Sequence, residues 1–541
     1  MRQVFSSRPS GHPAAASSVR RLTPTLLALL LLPAATVFGQ TRSRDILAPV
    51  RAQLIAAHPV SGPQARPESD NDEMDLFIFD PQVIPAGAYH DITVLSGGEA
   101  TLGGDITVSG TLLVQGGGQF ASRPFNPFGG GNSACFSLTG TGSFTLAAGA
   151  VMIICSPDGI TTTGATGAVQ VTGARTYSPH ALYVYDGQDN GDVQATGAGL
   201  PSRVLGLYNF KFSPVGGLVL TRPVRIRFVL GIAGNISTAG QSMTLLSDRD
   251  TTATVLDIDF GLRVSGDVTV QQYITPNPGA AVGYRFLSSP VENSTVADLA
   301  VPGVFTPIVN GAYNTNPNAR PMPNVFGYDE RRGDSDAPFM VGYFSPAPVG
   351  APRALTAPLV PGRGYSVAMR AATVDFVGTL NASDITVPNL TRTGSPRPGA
   401  KAGHHLLGNP YASPLDANQL PLGEAMAPTI YVQKTLGGNN YVYLTWTQNA
   451  GGGTGTLPDG VLSIAQGFFA QVTGEGPVDF TFTNDMRANS LEVNAPHYPT
   501  ARAAARPSLL LTLRAPGAPA DEQDAAFVLV TPGNTPDARL A

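Results

Sequence analysis

Residues 404–416, HHLLGNPYASPLD, bring two histidines, two X-Pro steps, a serine and an aspartate into one short span. Paired imidazoles could hold a metal or move a proton. Neighbouring residues on a strand, however, face opposite sides, so His404 and His405 do not share one metal. No HExxH, CxxC or third histidine lies near them. A residue before proline is held extended, and Asn serves turn starts. Gly408-Asn409-Pro410 therefore reads as a turn, Ser413-Pro414 repeats the device, and Asp416 is placed to cap the next segment.

Other chemistry-bearing patterns are sparse. In DGQDNGD (186–192), Asp186, Gln188 and Asn190 alternate ahead of Gly191 as in a calcium loop, but the twelfth position is Gly197 instead of a bidentate Glu. Calcium is the one cofactor the sequence raises, and a solvated turn is the competing reading. Arg332-Gly333-Asp334 is the tripeptide that integrins read in exposed loops, and a tripeptide this short also arises by chance. Gly364-Tyr365-Ser366-Val367-Ala368 is one residue short of a nucleophile elbow and lacks its strand–turn–helix context. Tyr183, Tyr185 and Tyr208 could stack on sugars if exposed, or pack inside a sheet. Cys135 and Cys155, the two cysteines, lie in strand-like runs of a chain with an export signal. Their spacing is about one coil of a stacked β-structure, so they are expected to pair as a disulfide.

The elements that must position these residues are short strands. Charged residues are only 13 %, whereas Gly (62) and Pro (47) are abundant and the hydrophobic fraction is 42 %, much of it in short alternating runs. Such a chain reads as many strands joined by tight turns. A net charge of −5 without blocks gives no footprint for nucleic acid, and none of the three lysines (Lys211, Lys401, Lys434) follows a phosphate loop, which excludes a nucleotide-driven function. Residues 1–39 read as a secretory signal peptide: Arg20 and Arg21, an apolar stretch broken by Pro24 and Pro33, then small residues before Gln40. Residues 40–75 read as a linker.

Over 76–275 the unit "strand, Gly or Thr-Gly turn, strand" recurs, with Gly110, Gly140, Gly173 and Gly197 marking a loose period. The expected fold class is all-β: a parallel β-solenoid over 76–275, for which two β-sandwiches are the alternative. A sandwich-like domain follows over 276–495, then an incomplete β segment over 496–541 with two strands, LLLTL and AFVLV.

GYRFLSSPV (283–291), GRGYSVAM (362–369), VDFVGTL (374–380), HLLGNPYASPLD (405–416) and AQGFFAQVT…FTNDMR (465–487) occur in that order. Together they resemble the signatures of large surface proteins of two-membrane bacteria that use the type IX secretion system. AGAYHDITV…GGDITVSGTLLV resembles the β-strand-repeat region ahead of that module. The resemblance implies export and a cell-surface or extracellular destination, and it carries no catalytic residues. A chain ending at Ala541 without a sorting domain is expected to stay in the periplasm. The expected function is structural or adhesive and non-catalytic, with extracellular matrix, glycans or other surface proteins as partners. The alternative is a glycan-binding or glycan-cleaving protein on the same scaffold.

Overall fold

The computed structural model describes residues 75–124, 134–187, 192–210, 217–257, 263–277, 282–334, 341–393, 402–437, 440–449 and 452–488. It also gives the backbone of an antiparallel hairpin, Ser508–Leu513 with Asp524–Leu529, where the two C-terminal strands are expected. The structure is 46 % strand, and among the described residues no helix has seven or more residues, so the all-β expectation holds. Among the described residues, no helix is long and apolar enough to cross a membrane.

The first nine strands take three sheets in rotation. Leu76–Ile78, Pro81–Ile84 and Gly87–Tyr89 belong to different sheets. The next three strands, Ile92–Val94, Glu99–Leu102 and Ile106–Val108, pair with them in parallel and in the same order. Thr111–Val114, Gln119–Ala121 and Leu138–Thr139 repeat the cycle. The reason lies in the alternation. In Ile92–Val94, Ile106–Val108 and Ser143–Leu146 the Ile, Val, Leu and Phe positions are buried while Thr and Ser face outward, and parallel stacking places like over like. Ile92, Leu112 and Phe144 thus form one buried column, while Thr111 and Ser143 hydrogen-bond outside it through Oγ atoms 3.0 Å apart.

The step between stacked residues is uneven. Ile92 lies over Leu76, whereas Phe144 lies over Leu112, a step twice as long in sequence. The glycine column differs accordingly. Gly110, Gly142 and Gly173 stack, with the Gly173 amide donating to the Gly142 carbonyl at 3.0 Å. A Cβ on Gly142 or Gly173 would overlap the carbonyl oxygen of the glycine before it, so no other residue fits. Gly140 instead sits beside Val108 at φ +113°.

The last strand of the longest parallel run, Val268–Ile274, pairs antiparallel along its full length with Ala372–Gly378 of the following region. That strand covers what would otherwise be an open sheet edge. One hydrophobic core runs from Ile78 through Ile274 and on into Leu287, Val367 and Phe376, so it is continuous across 275/276. Beyond the junction the pairing is antiparallel. One sheet holds Gly283–Leu287, Tyr365–Met369, Val325–Tyr328 and Tyr343–Phe344. A second holds His404–Gly408, Gly467–Gln471, Thr429–Gly437, Asn440–Asn449 and Gly452–Gly455. Phe286 of the first meets Phe469 of the second edge to face, with centroids 5.3 Å apart.

Candidate functional site

The residues singled out by type and spacing are largely engaged in holding the fold. His404 and His405 lie on one strand, half-buried and buried respectively. The His405 Nε2 is 2.7 Å from the Thr391 carbonyl, and burial lowers its pKa below the ordinary 6.5. The turn after them is a joint. The Asn409 side chain donates to the Ser413 and Ser463 carbonyls at 2.8 and 3.0 Å, and its Oδ1 accepts from the Tyr411 amide. The Val255 amide reaches the Ala412 carbonyl at 2.8 Å and the Ser413 hydroxyl donates to the Val255 carbonyl, fastening this turn to the parallel region. Arg487 lies over the Tyr411 ring at 4.3 Å, so the GNPYAS and FTNDMR segments touch.

Asp186 points inward. Its carboxylate accepts from Arg123 Nε and Nη2 at 3.1 and 2.7 Å, both side chains are almost wholly buried, and a calcium ion there would compete with that pair. Gln188 and Asn190 lie outside the described residues. Arg332 stands in the short 3-10 turn Glu330–Asp334, and its guanidinium donates to the carbonyls of Tyr343 and Asn314 at 3.1 and 2.9 Å. Gly333 and Asp334 are described through the backbone of that turn alone. Ser366 sits mid-strand and buried, not on an elbow. Tyr183, Tyr185 and Tyr208 are fully buried, which removes them as sugar platforms and leaves the packing role.

Cys135 and Cys155 are at disulfide distance, with Cα atoms 5.7 Å apart. The pairing does not come from stacking one coil on the next. Ile153 is in register with Ala121, so Cys155 follows the Arg123 level of the ladder. Cys135 lies beside the same strand end, the Phe136 amide donating to the Ser122 carbonyl at 2.9 Å.

Two features escaped the sequence reading because their parts are distant or unremarkable in the chain. Buried Glu330 accepts from Thr391 Oγ1 (2.7 Å), Thr393 N and Oγ1 (3.1 and 2.9 Å) and Gly403 N (3.2 Å). Burial by itself would raise its pKa, but these hydrogen bonds win and hold it below the ordinary 4.5. Asp75, His90 and Asp91 also converge, but their carboxylates already serve the amides of Asp91 and Thr111.

An aromatic cleft of about 290 Å³ opens between these two antiparallel sheets, at the lower end of the range for small-molecule sites. Alternation builds it. Tyr284 and Phe286 share a strand face, as do Tyr441 and Tyr443, and Gln433 stands directly across from Tyr443. The rings brace one another edge to face: Tyr328–Tyr343 at 5.1 Å, Tyr328–Phe469 at 4.9 Å and Tyr441–Tyr443 at 5.5 Å. Tyr441 and Tyr443 remain 51 % and 38 % exposed, whereas Gln433 is only 4 % exposed and its Oε1 has no hydrogen-bond partner. Burial, then the neighbouring phenols, pushes the Tyr343 pKa far above the ordinary 10.0. Burial also raises that of Tyr284, reinforced by Tyr313. Among the described lining residues there is no Asp, Glu, Lys or Arg. The described lining can hold a neutral ligand by stacking and hydrogen bonding, and no acid–base pair is found among its residues.

Comparison of the chain with protein-family models, with curated proteins and with solved structures gives no match.

Proposed function

We propose that this is an exported cell-surface protein with structural or adhesive, non-catalytic work, in which a parallel β-solenoid carries a β-sandwich-like module. The observation that carries the reading is the rotation of strands through parallel ladders that end on the antiparallel strand Ala372–Gly378. Stacked units of this kind make a stiff spacer whose face is set by outward Thr and Ser side chains. The non-catalytic side is supported by the engagement of His405, Asp186 and Arg332 with structural partners. The signal peptide supports export, and the ordered signatures support kinship with type IX secretion-associated surface proteins. The partners are matrix, glycan or other surface molecules. Glycan binding is the second reading, favoured by the aromatic cleft. Glycan cleavage is disfavoured there, because it needs two carboxylates across the ligand and none is among the described lining residues.

The test is expression of the full chain with N-terminal sequencing, cell fractionation and an adhesion assay on immobilised matrix proteins and host cells. A processed N-terminus near Gln40 and recovery outside the cytoplasm with adhesive activity are expected. An unprocessed cytoplasmic chain overturns export, and an exported chain that adheres to nothing leaves only the spacer role.

A further inference from the structure

We propose that the aromatic cleft binds a neutral saccharide chain, with sugar rings lying on Tyr441 and Tyr443 and a hydroxyl donating to Gln433 Oε1 once the buried amide turns toward the cleft. The inference rests on the cleft alone and stands whether or not the chain reaches a cell surface. Three observations lead to it.

First, the described lining is uncharged. The ionisable lining groups are phenols, and Tyr284 and Tyr343 are held protonated by burial. A charged ligand would lose its hydration with no counter-charge in return. An acidic glycan, a phosphate or an ammonium ligand is therefore a poor fit.

Second, a residue of the cleft wall carries an acceptor with nothing to accept. Gln433, across from Tyr443, is buried and its Oε1 is shielded and unpaired, a state that costs free energy until the amide turns to a donor. A lipid tail offers no donor. A proline-rich peptide, the other usual guest of aromatic grooves, offers chiefly carbonyl acceptors, because proline lacks an N–H. A saccharide offers hydroxyl donors on every ring.

Third, the exposed rings are on the rim and already fixed. Tyr441 and Tyr443 are held edge to face, and Tyr443 is braced in turn by Tyr431 and Phe469, at 6.2 and 6.4 Å. Rigid aromatic faces bind at low entropic cost. The electron-rich face of a ring attracts the slightly positive C–H face of a pyranose. The cleft is open along its rim, so a chain can lie through it without being enclosed.

The experiment titrates purified full-length protein with short neutral oligosaccharides of glucose, mannose, galactose and xylose, followed by calorimetry. Hexuronic acid oligosaccharides, a proline-rich peptide and a detergent-sized alkyl glycoside run as parallel arms. At least one neutral series is expected to bind, more tightly as the chain lengthens. Tyr443→Ala and Tyr441→Ala should each weaken binding about tenfold, whereas Tyr443→Phe should change it by less than about threefold. Gln433→Leu should weaken the saccharide and leave binding through the alkyl tail unchanged. Circular dichroism of each variant controls for folding, and the exposed Tyr441 provides a substitution that leaves the buried core intact. Absence of binding by every neutral series at millimolar concentration overturns the inference. So does preference for the acidic sugars or the peptide, or indifference of the bound sugar to Tyr441→Ala, Tyr443→Ala and Gln433→Leu.

Discussion

Removing the Asp186 carboxylate should destabilise the parallel region sharply, for a reason unrelated to metal. Arg123 and Asp186 follow two strands, Gln119–Ala121 and Leu182–Tyr185, that flank Val151–Ile154 in the same sheet, so the pair spans three ranks of the ladder. The side chains are 5 % and 2 % exposed, and the guanidinium donates twice to the carboxylate and once more to the Gly187 carbonyl at 3.3 Å. Asp186→Ala leaves a buried guanidinium without its counter-charge, which costs about 3–5 kcal/mol. Arg123→Ala should cost a similar amount, because a buried carboxylate is stranded instead. The double substitution strands neither charge, so its cost should fall short of the sum by at least ~2 kcal/mol. The assay is guanidinium unfolding followed by circular dichroism, with free energies from linear extrapolation, in calcium and in a calcium chelator. A pure ion pair gives the same losses in both solutions. A loss below ~1 kcal/mol for Asp186→Ala would show that the pair is not formed as described. If chelator lowers the stability of the native chain to that of Asp186→Ala, a bound calcium ion, and not Arg123, is the partner that matters.

Non-reduced peptide mapping by mass spectrometry should find Cys135 linked to Cys155, and Cys155→Ser should cost about 3 kcal/mol for a loop of this length; two free thiols in exported protein would refute it. Stability should fall on acidification in two overlapping ranges. His405 has a folded pKa below its ordinary 6.5, so its contribution is complete above 6.5 and is lost as pH falls through the folded value. Glu330, depressed below 4.5, contributes fully above 4.5 and loses its share at still lower pH, so Glu330→Gln should flatten the acid end of a stability–pH profile; an unchanged profile would remove the carboxylate's four hydrogen bonds from the account.

Much of the secondary structure was legible in the sequence because strand alternation is local. ITV, TLLV and SFTL declare their buried faces whatever they pair with, and GNPYASP declares turns through proline and asparagine. The C-terminal runs LLLTL and AFVLV were readable as two strands on the same ground. What pairs with what was not local. The stacking step from Leu112 to Phe144 includes long connections, and lengthening a connection costs little free energy, so sequence spacing is a poor guide to stacking. For that reason Gly142 and not Gly140 completes the glycine column, and Cys135 meets Cys155 beside Ser122 instead of by stacking one coil on the next. The tyrosines carry the same lesson. LYVY and YVYLT look alike as sequence, yet Tyr183 and Tyr185 lie within a parallel sheet covered by its own core, while Tyr441 and Tyr443 stand on a hairpin beyond that cover. Local pattern decides which side of a strand is apolar or aromatic. Only the tertiary structure decides whether another layer closes over that side or leaves it as a cleft.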